Sequence, residues 1–214
     1  MKTDSKWVWY ASYGSNLSEK RFMCYIAGGK PPGSQVVNPG SRDKTPPTDK
    51  RPVLFNWELY FAGYSTWWSG AGAFIRQSAQ KAVTYGRMYL ITDEQFNDVV
   101  IQENGGQVDG TGLVPPFETL VDKPDFILPG VAMYGRLVSL GKEAGCPILT
   151  FTSTKDDLEV GPPSESYLKI IVLGIRETYP SMKESEICEY LMNADGIRGR
   201  IPKDKLRRWV AEAD

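Results

Sequence analysis

Glu103 is the residue whose type and position most clearly suggest chemistry. It follows Phe96, Val99 and Val100 at helical spacing, i, i+3, i+4 and i+7. It therefore occupies the apolar stripe of a helix, where a leucine is expected. A carboxylate there loses water, which raises its pKa, and the negative end of the helix dipole raises it again. Both effects favour a group that holds and releases a proton near neutral pH, as general acid/base catalysis requires. The competing reading is a glutamate at the stripe's edge, reaching solvent or a lysine.

The chain contains no histidine. Ser-His-Asp and Cys-His triads and histidine metal sites are thereby excluded. A proton carrier must be a carboxylate, lysine, tyrosine or thiol. Cys24, Cys146 and Cys188 are far apart and form no CxxC pair, so neither a zinc knuckle nor a disulfide framework is implied. Each reads as a small buried side chain. No P-loop or dinucleotide fingerprint is present.

A second candidate is the turn Tyr13-Gly14-Ser15-Asn16-Leu17. It sets backbone N–H groups between a strand end and a helix start, which suits an anion or a carbonyl oxygen. An ordinary strand-to-helix turn is the alternative. Trp67-Trp68-Ser69-Gly70 reads as core more readily than as a pocket wall. Lys203, Lys205, Arg207 and Arg208 read as a solvated helix face rather than a nucleic-acid site.

The elements that must position these residues follow from the pattern. Trp7 to Tyr13 reads as a strand, and Leu17 to Ile26 as a short helix. Residues 27–52 are rich in Pro, Gly and Ser and read as a long surface excursion. Strands are expected over 53–63, 73–76 and 83–91, with Gly86 a bulge. Thr92 and Gln95 form a capping box for the helix that ends in Glu103, stopped by Asn104-Gly105-Gly106. Residues 105–130 form another Gly/Pro-rich excursion, read as a lid that packs through Val114, Phe117, Leu120 and Phe126. Strands are expected over 131–140 and 148–152. Ser164 caps a helix towards Ile175. Ser181 and Glu184 cap another that Gly196 stops, and Pro202 opens a last one.

Length and composition suit one medium domain: 214 residues, 41% apolar, formal net charge −1. No global field would gather nucleic acid or an anionic membrane. No apolar run is long enough to span a bilayer, and the start lacks a signal-peptide core. A soluble cytoplasmic protein is the expectation, α+β, with a compact mixed β-barrel or curled sheet flanked by helices. One domain is expected over residues 1–214, with a helical C-terminal extension at about 181–214.

Several segments together resemble the γ-glutamylcyclotransferase-like family. YASYGSNL, with its turn at Tyr13 to Leu17, is similar to that family's signature loop. Gly86-Arg87-Met88-Tyr89-Leu90 and the helix to Gln102-Glu103-Asn104-Gly105 resemble its second motif, which ends in the catalytic glutamate. Ala71-Gly72-Ala73 matches too, as does Pro163-Ser164-Glu165-Ser166-Tyr167 leading into Gly174. The matches keep the family's order from Trp7 to about Leu191.

The resemblance implies cyclisation of a γ-glutamyl amide to 5-oxoproline with release of an amine or amino acid. Glu103 would be general acid/base. Tyr13, Gly14, Ser15, Asn16, Leu17, Tyr134 and Tyr167 would contact substrate. It implies no cofactor and no metal, a small γ-glutamyl substrate as partner, no nucleic acid or membrane, and a monomer or homodimer. The long segments 27–52 and 105–130, and Asn104 where the family commonly has glycine, depart from it. A non-catalytic binding module on the same fold is the alternative. An amidase or acyltransferase would need a nucleophile, and Ser15 and Cys24 have no histidine partner.

Overall fold

The computed structural model describes residues 6–31, 37–78, 81–115, 117–120, 123–131 and 133–213. Parts of the expected segments 27–52, 105–130 and 131–140 lie outside these residues, as do the side chain of Phe117 and most of the N-terminal stretch. In chain order the elements begin with β1 (Trp7–Ser12), a 3₁₀ turn (Ser15–Leu17) and α1 (Glu19–Ala27). Four strands follow: β2 (Asp49–Phe55), β3 (Glu58–Ser65), β4 (Gly70–Arg76) and β5 (Thr84–Thr92). Then come α2 (Asp93–Glu103), α3 (Phe117–Leu120), β6 (Asp125–Ile127), β7 (Arg136–Glu143) and β8 (Cys146–Thr152). Three helices close the chain: α4 (Glu165–Thr178), α5 (Glu184–Met192) and α6 (Lys203–Ala211).

Six strands form one curled sheet in the order β2-β5-β1-β8-β7-β6, and β3 and β4 pair separately. The sheet stays open, since its edge strands β2 and β6 do not pair; of the two expected forms, the curled sheet holds and the closed barrel does not. β1 is central, antiparallel to β5 and parallel to β8. From Val8 onward it is buried on both faces, which explains its unbroken apolar run. Pro52 is tolerated in β2 because that strand is an edge.

One core cluster packs sheet residues Val8, Tyr10 and Tyr89 against Phe22 of α1 and Phe96, Val99 and Val100 of α2. The other gathers Leu17, Phe61 and Ile75 with Leu168 and Ile171 of α4, Leu191 of α5 and Trp209 of α6. The side chains of the last two helices thus enter the same cluster as α4. The basic run on α6 is exposed, as expected of a solvated face. Among the described residues no helix is long and apolar enough to cross a membrane.

Several expected boundaries are corrected. The strand expected over 53–63 is two strands, β2 and β3. They break where the Trp57 N–H turns back to the Phe55 carbonyl at 3.0 Å, a three-residue turn with no Gly or Pro to announce it. Gly86 is no bulge: it pairs in register with Val53. A Cβ there would lie 2.7 Å from the Phe55 ring and 2.8 Å from the Ser12 carbonyl oxygen. The 105–130 excursion contains α3 and β6, because Asp125–Ile127 finds ladder partners in Arg136–Val138. β7 begins at Arg136, so Tyr134 lies in the loop before it.

The capping box at Thr92 and Gln95 is present as read. The one expected at Ser181 and Glu184 lies two residues later, where the Glu186 carboxylate accepts from the Lys183 N–H at 2.7 Å. α5 ends at Met192, before Gly196. Of the cysteines only Cys188 is buried; Cys24 and Cys146 are half-exposed. The described part of the 27–52 excursion is pinned to α2. Gln95 donates to the carbonyls of Asp43 and Thr45, and Arg42 pairs with the buried Asp98.

Candidate active site

A cavity of about 280 Å³ opens where the 3₁₀ turn, α1, the end of α2 and β4 converge. The turn exists because β1 ends at Ser12 and Gly14 permits close approach: a Cβ there would lie 3.2 Å from the Tyr167 hydroxyl. α4 presses on the turn from behind through Gly174, whose added Cβ would sit 2.4 Å from Leu17 and Ser18 backbone atoms.

Glu103 lies at the last position of α2 and lines the cavity. Its carboxylate accepts from Asn16 Nδ2 at 2.7 Å, and the same amide donates to the Tyr10 hydroxyl at 3.1 Å. The Tyr25 hydroxyl also hydrogen-bonds to the Glu103 carboxylate. Burial pushes the Glu103 pKa above the ordinary carboxylate value, while the Arg21 cation and the hydrogen bonds from Tyr25 and Asn16 hold the rise back. The residue therefore combines a desolvated carboxylate with the contacts that keep its charged form accessible.

Of the residues expected at the site, Tyr13, Gly14, Ser15, Asn16, Glu103, Tyr134 and Tyr167 all line this cavity. Leu17 does not. Its side chain is wholly buried in the core, its N–H donates to the Gly14 carbonyl, and its own carbonyl accepts from Arg87 and Tyr89. The backbone of β4 orients two of the tyrosines: the Ala73 N–H donates to the Tyr167 hydroxyl, and the Tyr134 hydroxyl donates to the Ala73 carbonyl, both at 3.3 Å. Burial raises the pKa of Tyr10, Tyr13, Tyr25 and Tyr134 well above the ordinary tyrosine value. Tyr167 is pushed up to about 12, mainly by burial. All five are neutral hydroxyls at physiological pH. Trp68 belongs to the core cluster, as expected, and Trp67 packs against it; both also line the cavity, Trp68 against Tyr167.

Arg21 was not legible as a site residue. It is 2% exposed and lies in the cavity wall, stacked on the Tyr25 ring with its guanidinium carbon 4.3 Å from the centroid. Its guanidinium donates to the Tyr25 hydroxyl at 2.7 Å and to Asn38 Oδ1 at 3.0 Å. A hydrogen-bonded line thus runs from Asn38 through Arg21 and Tyr25 to Glu103. The signal was available: Leu17, Arg21 and Tyr25 recur at four-residue spacing, so Arg21 interrupts an apolar stripe as Glu103 does. Asn104, a departure from the family pattern, clasps the Tyr134 backbone from both sides: it accepts the Tyr134 N–H at 3.1 Å and donates to its carbonyl at 3.4 Å.

No protein-family model matches the chain. It is 40% identical over 187 residues to a protein of Arabidopsis thaliana named Histone deacetylase 5. The match takes 79% of this chain but 28% of that protein, so the chain spans just over a quarter of the length of the curated relative it matches. Among solved structures it is similar to a γ-glutamyl cyclotransferase, at 18% identity and a TM-score of 0.54, covering 96% of this chain and 99% of that one. An uncharacterized protein from Homo sapiens matches at 17% identity and a TM-score of 0.53, covering 97% and 99%. At these identities the likeness concerns the fold: the chain has a γ-glutamyl cyclotransferase fold.

Proposed function

We propose that this chain cyclises γ-glutamyl amides to 5-oxoproline, with Glu103 as the acid/base group. The observation that carries the reading is the half-buried Glu103 carboxylate, held by Asn16 of the Gly14–Asn16 turn at 2.7 Å. The turn and the carboxylate are 87 residues apart in sequence, and both face one cavity. A binding-only protein would have no need of a carboxylate whose burial opposes its charge.

The reaction asks one group for two proton transfers. The substrate's α-ammonium gives a proton to Glu103, and the freed amine attacks the γ-carbonyl carbon, closing a five-membered ring. The carbonyl oxygen becomes an oxyanion. Glu103 then returns the proton to the departing nitrogen as its bond to carbon breaks, and the ring nitrogen gives its remaining extra proton to the released amine, leaving 5-oxoproline and an ammonium ion. A carboxylate with a raised pKa serves both transfers. Asn16 Oδ1 is buried without a partner among the described residues, leaving an acceptor beside Glu103 for the substrate ammonium. The N–H groups of Ser15 and Asn16 open the 3₁₀ turn, where helical N–H groups lack internal partners; they suit the oxyanion. Arg21 offsets the Glu103 charge in the free site. Once Glu103 has taken the proton, that cation attracts the substrate's α-carboxylate.

The test is 5-oxoproline release, measured by mass spectrometry, from γ-glutamyl amines, dipeptides and glutathione by wild type and Glu103→Gln. Release by wild type alone supports the reading. Equal release by both removes Glu103 as the acid/base group.

A further inference from the structure

The cavity has two unlike halves. The inner half is lined by Tyr10, Asn16, Arg21, Tyr25 and Glu103, and holds the charged side chains. All but Glu103 are at most 4% exposed. The outer half is lined by Tyr64, Trp67 and Met133, with Ser65 and Thr66 between them. Tyr64 is 69% exposed and Met133 36% exposed, which places them at the mouth.

The mouth has a specific backbone cause. The β3–β4 register slips between Ala62 and Ser65, and Gly63 takes φ +64. A bulge of this kind re-aims the side chain that follows it. It turns Tyr64 out of the sheet alternation and onto the cavity rim. A Cβ on Gly63 would meet the Met133 methyl at 3.9 Å, so the strand end and the Met133 loop sit side by side. Two chain segments distant in sequence thus bring large apolar side chains to one opening, which scattered surface apolar residues do not do.

Charge is distributed just as unevenly. Among the described residues lining the cavity, Arg21 is the cation and Glu103 the anion, both in the inner half. Ring closure places the substrate's α-amine against Glu103, and the same carboxyl must reach the leaving nitrogen. Whatever that nitrogen carries therefore points away from Glu103 and towards Tyr64, Trp67 and Met133. If it were an α-amino acid, its carboxylate would enter a rim that offers it no cation among the described residues. A neutral apolar body would bury itself there at no such cost.

We infer that the outer half is a subsite for a neutral, apolar amine, so that the substrate class is γ-glutamyl amides of arylalkyl or longer alkyl amines. This rests on the cyclotransferase reading above and narrows it. One extra apolar group in such a subsite discriminates by roughly 10–200-fold.

Three substrates test it: γ-glutamyl-phenethylamide, γ-glutamyl-phenylalanine, which differs only by the added carboxylate, and γ-glutamyl-methylamide, which lacks the apolar body. Turnover is read with wild type as 5-oxoproline release, and binding by calorimetry with Glu103→Gln. The phenethylamide is expected to lead both others by about 10-fold or more in kcat/KM and in Kd. The double substitution Tyr64→Ser with Met133→Ser, at two exposed positions, is expected to bring the phenethyl-to-methyl ratio close to one. Phenylalanine turned over or bound as well as phenethylamide overturns the inference, as does a ratio the double substitution leaves intact. Absence of 5-oxoproline from all three overturns the cyclotransferase reading. The order of binding then still decides on the subsite.

Discussion

Asn16 Nδ2 lies 2.7 Å from Glu103 Oε1 and joins the turn after the first strand to the last residue of α2. That bond fixes the carboxylate against rotation and couples the site to the turn whose end, Leu17–Ser18, α4 braces from behind. Asn16→Ala removes the bond and the Tyr10 contact together. It is expected to lower kcat by roughly 10²-fold, within the range a positioned acid/base group contributes, with KM less affected. Steady-state kinetics on any accepted amide check this.

Glu103 also leaves a thermodynamic mark. Its folded pKa lies above the ordinary glutamate value of 4.5, so the folded chain holds this proton more tightly than the unfolded chain. The stability it contributes is complete below 4.5 and is lost as pH rises through the folded pKa. Glu103→Gln has no such loss. The Tm of the variant minus that of wild type is therefore expected to grow as pH is raised from about 4 to about 7. A difference that stays flat would contradict the assigned burial.

Arg21 lowers the Glu103 pKa against the pull of burial. In Arg21→Met the acid limb of the kcat/KM profile is expected to move to higher pH. Arg21→Lys keeps the charge but loses the fork that grips Tyr25 and Asn38. Its limb is expected to stay nearer wild type while its rate falls. Rate profiles over the acid range separate the two substitutions.

Asn104 clasps the Tyr134 backbone on both its N–H and its carbonyl. Asn104→Ala frees the loop that presents Tyr134 and Met133. Loss of these bonds is expected to cost about 1 kcal/mol of stability and to raise KM more than it lowers kcat. Thermal melts and saturation curves measure both.

Gly174 has no room for a methyl group, since a Cβ would lie 2.4 Å from Leu17 and Ser18. Gly174→Ala is expected to destabilise the fold by ~1–3 kcal/mol and to displace the turn that carries Asn16, so activity falls more than stability explains. Gly112→Ala, where a Cβ meets nothing within 4 Å, is the matched control.

Where sequence reasoning succeeded, a local signal coincided with the tertiary outcome. Glu103 was legible because a charge stood in an apolar stripe, and Thr92 because a capping box is a short-range motif. Arg21 carried the same stripe signal but was not singled out, because arginine on a short helix is commonplace. The break between β2 and β3 was illegible because Asn56-Trp57 is not a strong turn pair. β6 was illegible because three residues acquire strand character only from β7 beside them. The cavity mouth was legible in no single segment, since Tyr64 and Met133 meet there through a bulge and a loop.

The parallel pairing of β1 with β8 sets the order in which the molecule can assemble. The Tyr13 hydroxyl reaches the Phe151 carbonyl across 138 residues, so this seam closes only after most of the chain is made and has paid the entropy of a very long loop. Helices α1 and α2 form from local contacts far sooner. Refolding should therefore restore helical signal before Tyr10, Tyr13 and Phe151 come together around Glu103. Recovery of activity would then time the completion of the sheet rather than the formation of its parts.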